Sequence, residues 1–287
     1  DASPIVEYTK NVIYLNDGDI AFVRRTGYHL RSFLTEKVEV EKGVISFKPE
    51  EAQKGKFPDY MLKEIFEEPL ALENTLRGRM MPEEGKVKLG GLEPLEERLR
   101  NINRVILVAC GTAFYATQVA KYFFEEYAEL PTEIDLGSEF RYRKPIIDKQ
   151  TLFLTVSQSG ETADTLAAIK EAKTKGALTL GIVNVVGSTI ARTVEAGVYS
   201  HAGPELAVAS TKAFTTQIAD LALVMTFLGR ERKMSLVTGK RILQELEEIP
   251  EKMRMILRKA EAIKSLAKKY AHYKNFLFLG RKYNFPV

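Results

Sequence analysis

From Arg104 to Leu228 short apolar runs alternate with amphipathic stretches of helical length, and this alternation leaves the chain few folds to adopt. Arg104–Ala109, Thr132–Leu136, Leu152–Val156, Leu178–Val183 and Gly197–Ser200 read as strands. Ala113–Tyr127, Ala163–Lys175, Ser188–Val194 and Thr211–Leu228 read as helices, with Gly176 as a C-cap. A strand such as Leu152–Val156, apolar and β-branched with no polar alternation, must be covered on both faces. The pattern predicts an α/β fold built on a doubly wound parallel sheet. In such folds ligands bind beyond the carboxyl ends of the strands, at the point where the strand order reverses.

Three of those strand ends carry polar turns. In TLFLTVSQSGETADT (Thr151–Thr165) the strand runs into Ser157, Gln158, Ser159 and Gly160, and Thr162 falls in the first turn of the next helix. Free backbone N–H groups and the positive end of the helix dipole suit an oxyanion there. The same residues also make an ordinary helix cap, so the stretch alone leaves both roles open. Cys110-Gly111-Thr112-Ala113 closes the Val105–Ala109 strand in the same way, and Cys110 is either a nucleophile or a small core residue. Leu206–Lys212 (LAVASTK) is the third such loop; Ser210 and Thr211 cap a helix or face a ligand hydroxyl, and Lys212 most simply faces solvent. A carboxylate at Glu161 has to point away if an anion is bound beside it. Three polar helix starts on one sheet suggest a single shared ligand.

Composition narrows the alternatives. Basic residues number 42 and acidic residues 38, a mixed surface without a dense Lys/Arg stripe, which argues against nucleic acid as a partner. Cys110 is the sole cysteine, and His29, His201 and His272 are scattered, so neither a disulfide framework nor a clustered metal site is expected. No GxGxxG or GxxxxGK[ST] fingerprint follows a strand, and no cofactor is expected. The longest obvious apolar run, Val105–Cys110, is strand-sized, and a membrane association is not expected. A reducing cytoplasm is the default location for such a chain.

On either side of the alternation the reading is coarser. Asp1–Phe47 reads as a β meander with a turn at Asn16-Asp17-Gly18-Asp19, and Lys48–Pro58 as the start of a linker. Tyr60–Arg77 has helical spacing that Pro69 should break, Pro82–Gly91 reads as a loop and Glu93–Asn101 as a charged helix. Tyr115, Val119, Tyr122 and Phe123 form the expected apolar stripe of their helix, as Phe214, Ile218, Leu221 and Ala222 do of theirs. Glu139-Phe140-Arg141-Tyr142-Arg143 suggests an ion-paired loop or an interface. Lys240–His272 is helical, with a new segment expected at Pro250 and a stripe of Ile263, Leu266, Ala267 and Tyr270. Phe276–Leu279 looks like a further strand, and FLFLG echoes VILVACG as a weak internal repeat.

Taken together, SQSGETADT, SEFRYRK, ACGT and AGPELAVASTKAFTTQ resemble the sugar isomerase (SIS) domains of the glutamine:fructose-6-phosphate aminotransferase family. YMLKEIFEEPLALENTLRGR is similar to the segment joining that family's two halves, and LNDGDIAFV to the end of its glutaminase domain. The resemblance implies a flavodoxin-like SIS sandwich preceded by a short β segment. It divides the chain into a glutaminase remnant (1–47), a linker (48–75), a first SIS subdomain (76–250) and the start of a second (251–287). It further implies that Ser157, Gln158, Ser159 and Thr162 hold a sugar phosphate while Cys110, Gly111, Thr112, Val208 and Ser210 line the sugar side. The implied reaction converts fructose-6-phosphate and glutamine to glucosamine-6-phosphate and glutamate in a homodimer, through an imine and a base-catalysed 1,2-proton shift. The family's base is expected beyond Val287 and its cysteine nucleophile before Asp1, so the polypeptide as written is expected to bind sugar phosphate without completing the reaction. Ala113 stands where the family often has Ser, and Lys282 where it often has Gly. Rival readings are another SIS isomerase or sugar-amine deaminase, and a non-catalytic sugar-phosphate sensor.

Overall fold

The computed structural model describes residues 5–6, 8–15, 18–34, 38, 41–45 and 53–287. Asn16 and Asp17 of the expected turn, and residues 48–52 of the expected linker, lie outside them. The chain divides into two units, Asp1–Gln53 and Lys54–Val287.

In the first unit the strands are β1 (Asn11–Tyr14), β2 (Asp19–Arg24), β3 (Gly27–Ser32) and β4 (Glu41–Val44). They do not form the expected meander: β2 and β3 make a hairpin, whereas β1 pairs antiparallel with β4. The apolar side chains explain the choice. Val12 on β1 and Ile45 just past β4 close over Val6 in a small core, with Tyr14 packed against it, while Val23 on the hairpin stays exposed.

The second unit opens with α1 (Tyr60–Leu76), capped by the Asp59 carboxylate, which accepts from the Leu62 N–H at 2.8 Å. It runs unbroken through Pro69. A helix-interior proline deletes one hydrogen bond, and here the ring is buried beside Ala71 and Leu72, whose burial offsets the loss. The expected loop after it contains a small hairpin, β5 (Met80–Met81) and β6 (Lys86–Val87), and the charged helix is reduced to α2 (Glu96–Arg100) behind a 3₁₀ turn.

The α/β body follows the expected order: β7 (Arg104–Ala109), α3 (Thr112–Tyr127), β8 (Thr132–Leu136), α4 (Gly137–Tyr142), β9 (Thr151–Ser157), α5 (Ala163–Thr174), β10 (Leu178–Val183), α6 (Thr189–Thr193), β11 (Ala196–Tyr199) and α7 (Lys212–Arg230). The five strands are parallel in the order β11-β10-β9-β7-β8. The order reverses between β7 and β9, where Ala109 stands opposite Val156. Alternate side chains feed two cores, Leu152, Leu154 and Val156 on one face and Phe153 on the other. Leu154→Ala in a core this closed costs on the order of 2–5 kcal/mol.

Details of the helices depart from the sequence reading. In α3 the buried face is Ala113, Ala116, Val119, Ala120 and Phe124, and Tyr115 is exposed. Small residues let α3 approach the sheet and α7 closely; the larger Tyr122 and Phe123 lie to the side, against Tyr283. The Phe140 segment is the short helix α4, with Phe140 in tilted ring contact with Phe153 in the core and Arg141 and Arg143 paired to Asp164 and Asp135. Beyond α7, α8 (Leu236–Leu257) passes through Pro250 without a break, and the chain bends instead at Lys259 before α9 (Ala260–Tyr270). Ile263, Leu266 and Tyr270 are exposed, and Phe276–Leu279 forms no strand. A strand needs a neighbour to satisfy its backbone, and none of the described residues supplies one there.

Candidate functional site

The reversal between β7 and β9 sets the carboxyl ends of two central strands side by side, and a cleft of about 330 Å³ opens there. Its first wall is the β7–α3 turn, Cys110, Gly111, Thr112 and Ala113; its second is Val156, Ser157, Gln158, Ser159 and Thr162. The third comes from the loop before α7 and from α7 itself: Glu205, Ala207, Val208, Ser210 and Gln217. All nine residues singled out from the sequence are therefore brought together. Val208 is fully exposed at its loop tip, so what it offers the cleft is mainly backbone.

Within the β9–α5 loop, Ser157 Oγ accepts from the Gly160 N–H at 3.0 Å and Ser159 Oγ from the Glu161 N–H at 3.2 Å. Gly160 has φ +68, and a β-carbon there would meet Ser188, so glycine is required on both counts. Glu161 turns out of the loop and accepts from the Thr189 N–H at 2.8 Å. Thr162 is the N-cap of α5 rather than a first-turn residue, yet its side chain makes no capping bond. Its hydroxyl is thus free for a ligand. Gly111, the N-cap of α3, has no side chain with which to cap (φ 59).

The start of α7 is different. Glu205 accepts from the Thr211 N–H at 2.8 Å, the Ala213 N–H at 3.2 Å and the Ser210 hydroxyl. A carboxylate already fills this helix start and would repel an anion there. An anion entering the cleft is therefore directed to the α3 and α5 starts, and the third loop is left to contact neutral groups.

Helix α1 holds that third loop. Glu64 Oε1 accepts from the Leu206 N–H at 2.6 Å and the Ala207 N–H at 3.2 Å. Burial raises the Glu64 carboxyl above its usual range, against the pull of these two donors. Burial, with Glu205 adding repulsion, pushes Glu68 up to about 7. Lys212 neither faces solvent nor enters the cleft: it is buried and donates to Glu67 at 2.6 Å. The ring of His201 lies near Tyr199, and burial, then Arg79, depresses its pKa. Cys110 is half-buried with Sγ 3.7 Å from Thr165 Oγ1, and no base stands beside the thiol among the described contacts.

Glu205 and Gln217 escaped the sequence reading. Glu205 sits within AGPELAVASTKAFTTQ, where only its proximity to a helix start hints at a cap. Gln217 closes the AGPELAVASTKAFTTQ stretch, but it falls on an apolar helix and its residue type alone does not assign it to the cleft. Among the described residues no group of acidic, His and Cys side chains could hold a metal ion, and no helix is long and apolar enough to cross a membrane.

A parallel five-stranded sheet with ligand loops gathered at its reversal defines a class, and the SIS domain model matches residues 98–227. Residues 98–227 are a SIS domain, and over its whole length the chain is similar to the isomerizing glutamine–fructose-6-phosphate aminotransferases. It is 48% identical to that enzyme of Chlorobaculum tepidum over 289 aligned residues, and 45% identical to that of Thermus thermophilus. All of this chain is covered in both, but only 47% of each relative, so the chain spans about half their length. In structure it resembles the C-terminal domain of glucosamine-fructose-6-phosphate aminotransferase from Francisella tularensis, with a TM-score of 0.77 and 32% identity, covering 82% of this chain and 65% of that one.

Proposed function

We propose that the cleft binds a hexose 6-phosphate and that the chain supplies the sugar-phosphate binding and isomerisation part of an enzyme making glucosamine-6-phosphate from fructose-6-phosphate and glutamine. The observation that carries this is the contrast among the three helix starts, two uncapped by side chains beside Ser157, Ser159 and Thr162 and one filled by Glu205. The phosphate rests on Ser157, Gln158, Ser159 and Thr162 and on the N–H groups behind them. The sugar extends along Cys110, Gly111 and Thr112 toward Val208 and Ser210. These residues bind and orient; none is assigned a proton transfer. The names of the full-length relatives support the choice of substrate. A cytoplasmic homodimer completes the proposal, and sedimentation velocity of the chain tests the dimer.

Calorimetric titration of fructose-6-phosphate and glucosamine-6-phosphate against the chain and its Ser159→Ala/Thr162→Ala variant tests the site. Two charge-assisted contacts are each worth about 1.5–3 kcal/mol, so the variant should bind at least tenfold more weakly. Equal affinities would sink the phosphate assignment.

A further inference from the structure

Gln217 projects from α7 into the wall of the cleft, five residues past Lys212. Its residue surface is 2% exposed, and its Oε1 is buried without a hydrogen-bond partner among the described residues. An amide is not stable in that condition without reason, because a buried carbonyl oxygen lacking a donor loses its bonds to water and gains nothing. Apolar neighbours do not explain the choice of glutamine either, since Leu or Met would fill the same space at that point of a helix buried on nearly every side. What is missing is a donor, and because Gln217 lines the cleft, a turn of its amide toward a bound ligand supplies one.

We infer that Gln217 reads a hydroxyl group of the bound sugar. This rests on the sugar-phosphate reading of the cleft and deepens it by naming a contact that selects for the carbon chain beyond the phosphate. Glu205 is largely committed to the protein, its oxygens already accepting from Ser210, Thr211 and Ala213. Ser210 spends its proton on Glu205, and of the cleft-lining side chains on the α7 side Gln217 is the one whose buried oxygen lacks a donor. A hydroxyl both donates and accepts, so it satisfies the amide in either of its two orientations. A bare phosphate held at the α3 and α5 starts would leave Gln217 unsatisfied. The cleft is thereby built to prefer a polyhydroxylated phosphate ester over inorganic phosphate.

The test compares the full chain with its Gln217→Met variant, which keeps the side chain's length and removes the amide. Fructose-6-phosphate should bind the variant about threefold to tenfold more weakly, the value of one neutral hydrogen bond, while inorganic phosphate binds both proteins equally. The melting temperature of the free variant should be unchanged or higher, since an unsatisfied buried atom has been removed. A series of monodeoxy hexose 6-phosphates then locates the partner: for one of them the wild type and the variant bind alike. A melting temperature several degrees lower would show that the amide bonds the protein itself, and would overturn the inference. So would unchanged fructose-6-phosphate affinity, or an equal loss for sugar phosphate and inorganic phosphate. If the wild type binds no phosphate ester at all, the reading of the cleft fails with it; if Ser159→Ala/Thr162→Ala weakens binding and Gln217→Met does not, the inference about Gln217 alone is wrong.

Discussion

Gly160 and Ser188 approach so closely that a β-carbon on residue 160 would stand 2.0 Å from the Ser188 hydroxyl oxygen. Ser188 is completely buried and cannot swing into water to make room. The turn of the β9–α5 loop is thus fixed by contact with the segment entering α6, a relationship between two neighbouring loops of the sheet.

Gly160→Ala meets two penalties, a positive φ costing about 1–2 kcal/mol and an overpacking cost of about 1–3 kcal/mol. Urea denaturation should show a loss of about 2–5 kcal/mol. Adding Ser188→Gly should restore the steric share and leave the backbone share. Full recovery in the double variant would mean the dihedral costs nothing here.

Glu205→Ala removes the acceptor for two N–H groups and a hydroxyl at the start of α7. The expected loss is about 1–3 kcal/mol. Hydrogen exchange localises it: the Thr211 and Ala213 amides should exchange faster, while those of β9 keep their protection relative to global unfolding.

Folding lifts the Glu68 carboxyl from about 4.5 to about 7, through burial first and Glu205 second. The folded state therefore holds this proton more tightly than the unfolded chain. Its contribution to stability is full below about pH 4.5, declines as the pH rises toward 7, and is gone above that. The decline is on the order of 2 kcal/mol. Glu68→Gln, which mimics the protonated acid, should be more stable than the wild type at pH 8 and nearly equal to it at pH 4.5. Urea midpoints at the two pH values decide the matter, and a wild type that gains stability over the same interval relative to Glu68→Gln would contradict the sign.

Arg79 bonds Asp220 at 2.9 Å and the Tyr199 carbonyl at 2.5 Å, and Asp220 is inaccessible to solvent. Arg79→Met strands the carboxylate and should cost about 3–5 kcal/mol. Arg79→Met/Asp220→Asn should recover a substantial part. Strict additivity in that double-mutant cycle would exclude coupling between the two side chains.

The sheet and the polar turns of the cleft were legible in the chain because both follow from local signals, apolar runs of strand length and Ser, Thr and Gly crowded where those runs end; Val208 was marked only by the family resemblance. What stayed hidden depends on distant partners. Lys212 looks like a surface lysine until Glu67, 145 positions earlier, is placed beside it. Pro69 and Pro250 look like breaks because propensity counts the lost hydrogen bond but not the burial that offsets it. Phe276–Leu279 has strand composition, yet pairing is a property of two segments. The stripe of α3 was misplaced for a related reason, since large aromatics dominate a periodicity count whereas close packing against a sheet selects alanine.

Glu64 grips the loop at Leu206 across 142 positions of sequence. Two of the cleft's walls arise within the sheet itself, but the third is in place only while α1 is docked. A ligand that touches all three walls is therefore a clamp on the tertiary structure as well as cargo: whatever free energy it gains from the third loop, it lends to the docking of α1. Filling the cleft should slow amide exchange along Tyr60–Leu76, which supplies none of the cleft's lining, and loosening α1 should speed the ligand's escape.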